Sequence, residues 1–261
     1  GYKVAYNNQG TLELDGTICA KEGGYVYVSS GNIISTKNSA LCAIGDFTGA
    51  SDLKSRVVVN DGYIKAQECA VTAQGKGASL SVGSTSGAGP VLEALDNAVV
   101  SGNGTYTDAK KCGGTSIQIR NATLIGRIQT SGYVACGIYH PQEGTLSVGY
   151  KAKIYALGGC GILMRGGKLT MGSSASVVAT GDKALTGKVG DSPIQVGTSG
   201  IIYDYDCEYY DSKNVTVKIT GTSSEIPSIT SSADAISVIN SNNTDVSNVF
   251  DIQKGTYSSD V

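Results

Sequence analysis

Two neighbouring stretches of this chain can be laid over each other, residue type on residue type, once a single position is deleted. The first runs Cys136-Gly137-Ile138-Tyr139, then Gly144-Thr145-Leu146-Ser147-Val148-Gly149, then Ala152-Lys153-Ile154-Tyr155-Ala156 and Gly158. The second runs Cys160-Gly161-Ile162-Leu163, then Gly167-Lys168-Leu169-Thr170-Met171-Gly172, then Ala175-Ser176-Val177-Val178-Ala179 and Gly181. A unit this short cannot bury its own apolar face, so it must stack on its neighbours as a solenoid.

Weaker copies run through the rest. They include Gly10-Thr11-Leu12-Glu13-Leu14-Asp15-Gly16-Thr17-Ile18, Val57-Val58-Val59-Asn60-Asp61-Gly62-Tyr63-Ile64 and Ser116-Ile117-Gln118-Ile119-Arg120-Asn121-Ala122-Thr123-Leu124. Asn214-Val215-Thr216-Val217-Lys218-Ile219 and Phe250-Asp251-Ile252-Gln253-Lys254-Gly255-Thr256-Tyr257 close the series. Each alternates apolar with polar and then meets Gly or Asn, the pattern of a short strand with one buried face ended by a turn. The seven cysteines repeat the cadence: positions 19, 42, 69, 112, 136, 160 and 207 are separated by 23, 27, 43, 24, 24 and 47 residues. The two long gaps read as two coils with one cysteine missing.

No amphipathic helix separates the strands, which excludes an alternating α/β fold. An antiparallel sandwich also uses many short strands, but it has no reason to repeat residue identities at a fixed period. A solenoid does, because equivalent residues stack on one face. The expected fold is therefore all-β: a single-stranded right-handed parallel β-helix forming one domain over 1–261. It should contain about ten or eleven coils of roughly 22–27 residues, in a rod on the order of 50 Å long. Extra residues near 46–55, 84–90, 102–113 and 203–213 predict loops leaving the coil. Inward rows should hold Ile, Val and Leu, with the Cys-Gly-Ile and Ala-x-Ile/Val-x-Ala positions filling tight corners.

Composition fits a narrow, repeatedly filled core. There are 36 Gly but no Trp, 2 Phe and 2 Met, and charged residues make up 16%. The net charge of −2 and four scattered arginines (Arg56, Arg120, Arg127, Arg165) lack the electrostatic footprint of nucleic-acid binding. No run approaches the ~18 apolar residues of a membrane span. The chain opens on Gly1-Tyr2-Lys3 without Met, which reads as a piece of a longer protein.

The Gly-x-Leu-x-Val-x-Gly-x-Ile cadence, the run Cys136-Gly137-Ile138-Tyr139-His140-Pro141 leading to Gly144-Thr145-Leu146, and the closing Phe250–Val261 segment resemble cell-surface proteins of gut Firmicutes. In such proteins β-helical domains commonly carry Gly-Gly-Thr-Phe-Ser, matched here by Lys254-Gly255-Thr256-Tyr257-Ser258 with two replacements. The resemblance implies a wall-associated, extracellular location and a superfold shared with pectate lyases, polygalacturonases and phage tailspikes. Its motifs belong to the coil and imply no catalytic residue.

One segment is unexplained by the repeat: Tyr203-Asp204-Tyr205-Asp206-Cys207-Glu208-Tyr209-Tyr210-Asp211. Tyrosines interleaved with four carboxylates suit sugar binding by stacking and hydrogen bonding, or Ca²⁺ held by oxygen ligands. If extended, Tyr203, Tyr205, Cys207 and Tyr209 face one side and Asp204, Asp206 and Glu208 the other. The competing reading is a solvated acidic strand whose tyrosines merely cover the rod. Residues Tyr203, Asp204, Tyr205, Asp206, Glu208, Tyr209, Tyr210 and Asp211 are thus the candidate ligand-binding set; no catalytic residue and no metal ligand set is assigned.

His140, the sole histidine, precedes Pro141 and reads as a turn residue, since neither a metal site nor a hydrolase triad can be assembled around it by spacing. The Gly-His-Gly element of polygalacturonase-like enzymes is absent. Carboxylates from different coils can still converge on one face, so a polysaccharide lyase or glycoside hydrolase stands as the rival to a non-catalytic adhesin that binds glycan or host surface. A structural spacer is the third reading. The cysteines read as free buried thiols in preference to disulfides between stacked coils.

Overall fold

Alternation of apolar and polar residues sets which face of each strand is buried, and the chain then repeats that choice three times per coil. In a computed structural model, residues 3–47, 53–102, 114–127, 136–141, 143–172, 174–181, 186–189, 192–195, 198–207 and 214–259 are described. They form a right-handed parallel β-helix of three parallel sheets with nine, nine and eight strands. The first sheet runs from Lys3–Tyr6 through Gly144–Gly149 and Lys168–Gly172 to Phe250–Ile252. The second runs from Thr11–Leu14 to Thr256–Ser259, and the third from Ile18–Ala20 to Ile236–Ile239. Each strand pairs in register with its equivalent one coil away, for example Leu146↔Leu169 and Ile154↔Val177.

The core is a set of inward stacks. The second sheet contributes Ile33, Ile64, Leu92, Leu124, Ile154, Val177 and Ile229, all buried. The third contributes Leu41, Val71, Val100, Ile138, Ile162 and Ile201, each fully buried. At the outermost coils the same inward positions reach solvent: Val4 is 54% exposed and Ile252 42%.

The nine-strand sheets give nine coils, fewer than the ten or eleven expected. Stacked partners in the third sheet lie from 23 residues apart (Ile18↔Leu41) to 39 apart (Ile162↔Ile201), so many coils exceed 27 residues. Most of the surplus sits at the borders of the third sheet, but in two coils it lies between the first and second sheets, at 83–90, as the sequence predicted, and at 221–227. One insertion was not foreseen: Thr186–Val189 pairs antiparallel with Ser192–Gln195. Its signal was present, because Gly190-Asp191 is a two-residue hairpin turn sequence.

The cysteines also need correcting as a ruler. They occupy two rows, not one. Cys19 and Cys42 are register partners on the outward face of the third sheet. Cys69, Cys136 and Cys160 instead lie two residues before that sheet's leading inward residue, at the corner. The 27-residue gap from Cys42 to Cys69 therefore measures no coil; the partner of Cys42 is Thr72. All six cysteines among the described residues are free thiols, and Cys42, Cys69, Cys136 and Cys160 are buried.

Following that corner row come Gly137, Gly161 and Gly200. A Cβ on Gly161 would lie 2.2 Å from Val177 Cγ1 and 2.4 Å from the Gly200 carbonyl oxygen. Here the coil turns too tightly for any side chain, which is the physical reason for the Cys-Gly-Ile motif.

Candidate functional site

The outward faces of the sheets differ in chemistry. On the first sheet, Ser116, Gln118, Thr145, Lys168, Thr170, Thr216 and Lys218 are all exposed and stand in two axial rows. Stacking at ~4.8 Å per coil spaces their polar ends regularly along the rod. Towards the first coils the rows become aromatic and cationic. Lys3 Nζ lies 5.6 Å from the centroids of both Tyr25 and Tyr27, and the Arg56 guanidinium 5.9 Å from that of Tyr25.

Two open clefts adjoin these rows along the border between the third and first sheets. One, of about 380 Å³, is lined by Glu143, Gly144, Thr145, Gly167, Lys168 and Asn214. The other, of about 360 Å³, includes Tyr203, Tyr205, Asn214, Thr216, Asp245 and Asn248. They share Asn214, so together they follow the axis past Thr145, Lys168 and Thr216, three successive coils.

The structure divides the sequence-derived candidates. Ile201–Asp204 is a strand, and alternation holds within it. Tyr203 points inward and is fully buried, its ring edge-on to Phe250 at 6.0 Å and to Tyr205 at 6.2 Å. Asp204 points outward yet is 5% exposed, because Arg165 Nε donates to its Oδ2 at 2.8 Å. The strand stops there: Tyr205 and Asp206 form a turn, both half-buried. Asp206 Oδ2 accepts the Ser241 N–H at 2.6 Å. Glu208, Tyr209, Tyr210 and Asp211 lie outside the described residues. Tyr205 is therefore the described tyrosine of the run whose ring retains access to solvent, and it lines the second cleft.

Over three successive coils the outer face of the third sheet is apolar and buried, with Tyr139, Leu163 and Ile202 in register. At its edge Arg165 Nη1 donates to the Tyr139 hydroxyl at 3.2 Å, and the guanidinium sits 5.7 Å from that ring's centroid. On the second sheet Glu93, 6% exposed, accepts from Arg127 Nε at 3.0 Å and from the Tyr63 hydroxyl at 3.0 Å, with Lys65 Nζ 3.6 Å away. Burial pushes the Glu93 carboxyl upward, but Arg127 and Tyr63 outweigh it and hold it below the ordinary range. Two of the four arginines that looked isolated in sequence, Arg127 and Arg165, thus find their acids 34 and 39 residues away. Only the coil register reveals those pairs.

His140 is the last residue of the strand Ile138–His140, not a turn residue. It points into the core and is fully buried. Its inward neighbour one coil before is Gly102, where an added Cβ would lie 3.0 Å from His140 Cδ2; glycine there makes room for the ring. Nδ1 donates to the Gly166 carbonyl at 3.0 Å, while Nε2 has no hydrogen-bond partner among the described residues. Burial, only partly opposed by that carbonyl, lowers its pKa to about 4, so the ring is neutral.

Among the described residues no three His, Cys, Asp or Glu side chains stand close enough together to hold a metal ion, and no helix is long and apolar enough to cross a membrane. No family model matches the chain, and no curated protein or solved structure matches it either.

Proposed function

We propose that the protein is a non-catalytic, extracellular β-helix that binds an extended polar polymer, a glycan, along the border of its first sheet. The observation that carries this reading is the pair of clefts sharing Asn214. A polymer laid along the axis meets the Tyr205 ring, the Asn248 amide and Asp245 carboxylate, and then the exposed rows Thr216, Lys168 and Thr145. Carbohydrate recognition combines an aromatic platform with hydroxyl, amide and charged partners at fixed spacing. A solenoid supplies such spacing by construction, because each coil repeats its polar ends at a constant rise. The sequence likeness to gut Firmicutes surface proteins supports a cell-surface location and an adhesive role.

The test is a glycan array with the full chain, followed by a product assay on every hit. Binding that falls at least tenfold in Tyr205→Ala and Lys168→Ala, without product release, supports the reading. Release of reducing ends or unsaturated sugars from a hit would replace it with a lyase or hydrolase. Retention of no glycan at all would leave a spacer.

A further inference from the structure

The two coils nearest the start of the third sheet place one exposed and one buried thiol in direct register. Cys19 and Cys42 are Cα partners on adjacent parallel strands, Ile18–Ala20 and Leu41–Ile44. Strands in such a pair stand ~4.8 Å apart, inside the ~4.4–6.8 Å Cα separation that a disulfide spans. Both side chains lie on the same outward face, since Ile18 and Leu41 take the inward positions. Cys19 is exposed and Cys42 is 4% exposed. A cleft of about 480 Å³, lined by Cys19, Lys21, Glu22 and Tyr25 among others, opens onto the Cys19 side.

We propose that Cys19 is a modification site for small-molecule disulfides and that Cys42 is its resolving thiol, closing a bond between the first two coils. The Cys19 thiolate attacks one sulfur of the small disulfide. The S–S bond breaks, one small thiolate leaves, and a mixed disulfide forms on Cys19. Cys42 then gives its proton to solvent, and its sulfur attacks Cys19 and expels the second small thiolate. The two protein thiols are oxidised by two electrons, and one small disulfide is reduced to two thiols.

The electrostatics favour this order of events. The Cys42 thiol hydrogen-bonds to Cys19 and, with the Lys21 ammonium nearby, lowers the Cys19 pKa to about 7 despite partial burial. The same hydrogen bond and burial push Cys42 far upward, so it enters second. At pH 7 the thiolate gain, partly offset by lower intrinsic nucleophilicity, makes Cys19 about three-fold faster than an ordinary cysteine. The molecule contains its own control. Cys136 and Cys160 are likewise stacked one coil apart, but both are fully buried and no oxidant reaches them.

The experiment treats the 261-residue chain, in a Cys112→Ser/Cys207→Ser background, with an aromatic disulfide that releases a coloured thiolate at pH 7. The expected burst is two equivalents of thiolate per chain, with tryptic peptides 4–21 and 38–54 joined. Cys42→Ser should release one equivalent and retain the aromatic group on Cys19, and Cys19→Ser should show no burst. One equivalent in the background chain, a burst that survives Cys19→Ser, or linkage of peptides 128–151 and 154–165 instead would overturn the proposal. Peptide mapping of the unsubstituted chain keeps the test decisive if either serine variant folds poorly.

Discussion

Lowering the pH should destabilise this protein well before its carboxylates titrate, through one residue. His140 is the sole histidine, and its neutral ring is fully buried. In the unfolded chain it protonates near the ordinary ~6.5, whereas in the folded chain its pKa is lowered to about 4. A depressed folded value means the unfolded state binds the proton first. The stability tied to the neutral ring is therefore complete above pH ~6.5 and is lost as pH falls towards about 4. The gap corresponds to roughly 3 kcal/mol at its limit, of which about 2 kcal/mol disappears between pH 7 and 5. Ordinary Asp and Glu side chains titrate mostly below that window. Urea unfolding at pH 7 and 5 reads the slope, and the single imidazole Hε1 signal in proton NMR reads the folded pKa. His140→Gln should unfold with the pH 7-to-5 loss nearly abolished, whatever its baseline stability. A signal titrating near pH 6.5, or a variant that keeps the slope, would refute the reasoning.

Four further outcomes follow from packing and charge. Gly161→Ala should cost about 1–3 kcal/mol or more through overpacking against Val177 and the Gly200 carbonyl, measured by urea unfolding. Asp204→Ala should cost about 3–5 kcal/mol, because it strands the Arg165 guanidinium, whose side chain is 4% exposed; Asp15→Ala, which breaks the exposed pair with Lys37, should leave the unfolding midpoint unchanged. In Arg127→Ala, burial is no longer offset by the guanidinium, so the Glu93 carboxyl should rise. The stability that its ionised form contributes would then be lost at higher pH than in the parent, visible as an upward shift of the acid-unfolding midpoint.

The fold was legible in the chain because a solenoid writes its architecture locally. Gly144–Gly149 and Lys168–Gly172 each alternate apolar with polar, and that alternation alone assigns one face to the core. The cysteine spacing suggested a period that only the shorter coils keep, such as Ile18↔Leu41 and Ile138↔Ile162, and it did so partly by coincidence. Cys42 and Cys69 occupy different rows, and small residues of several types, such as Ser39, Ala98 and Ser199, fill the other positions of the corner row. The candidate run at 203–211 was legible only as an exception to the repeat. Within it, the inward face of the third sheet took Tyr203, and Arg165 took Asp204.

By itself, then, the sequence determined the coil, its buried faces and the all-β parallel class, since these depend on neighbours within a few residues and on one repeat. Tertiary structure alone decided which residues share a site. Arg165 with Asp204, Arg127 with Glu93, Gly102 with His140, and Cys19 with Cys42 all meet across coils of unequal length. Insertions of variable size shift the register between coils, so no fixed spacing in the sequence can announce those meetings.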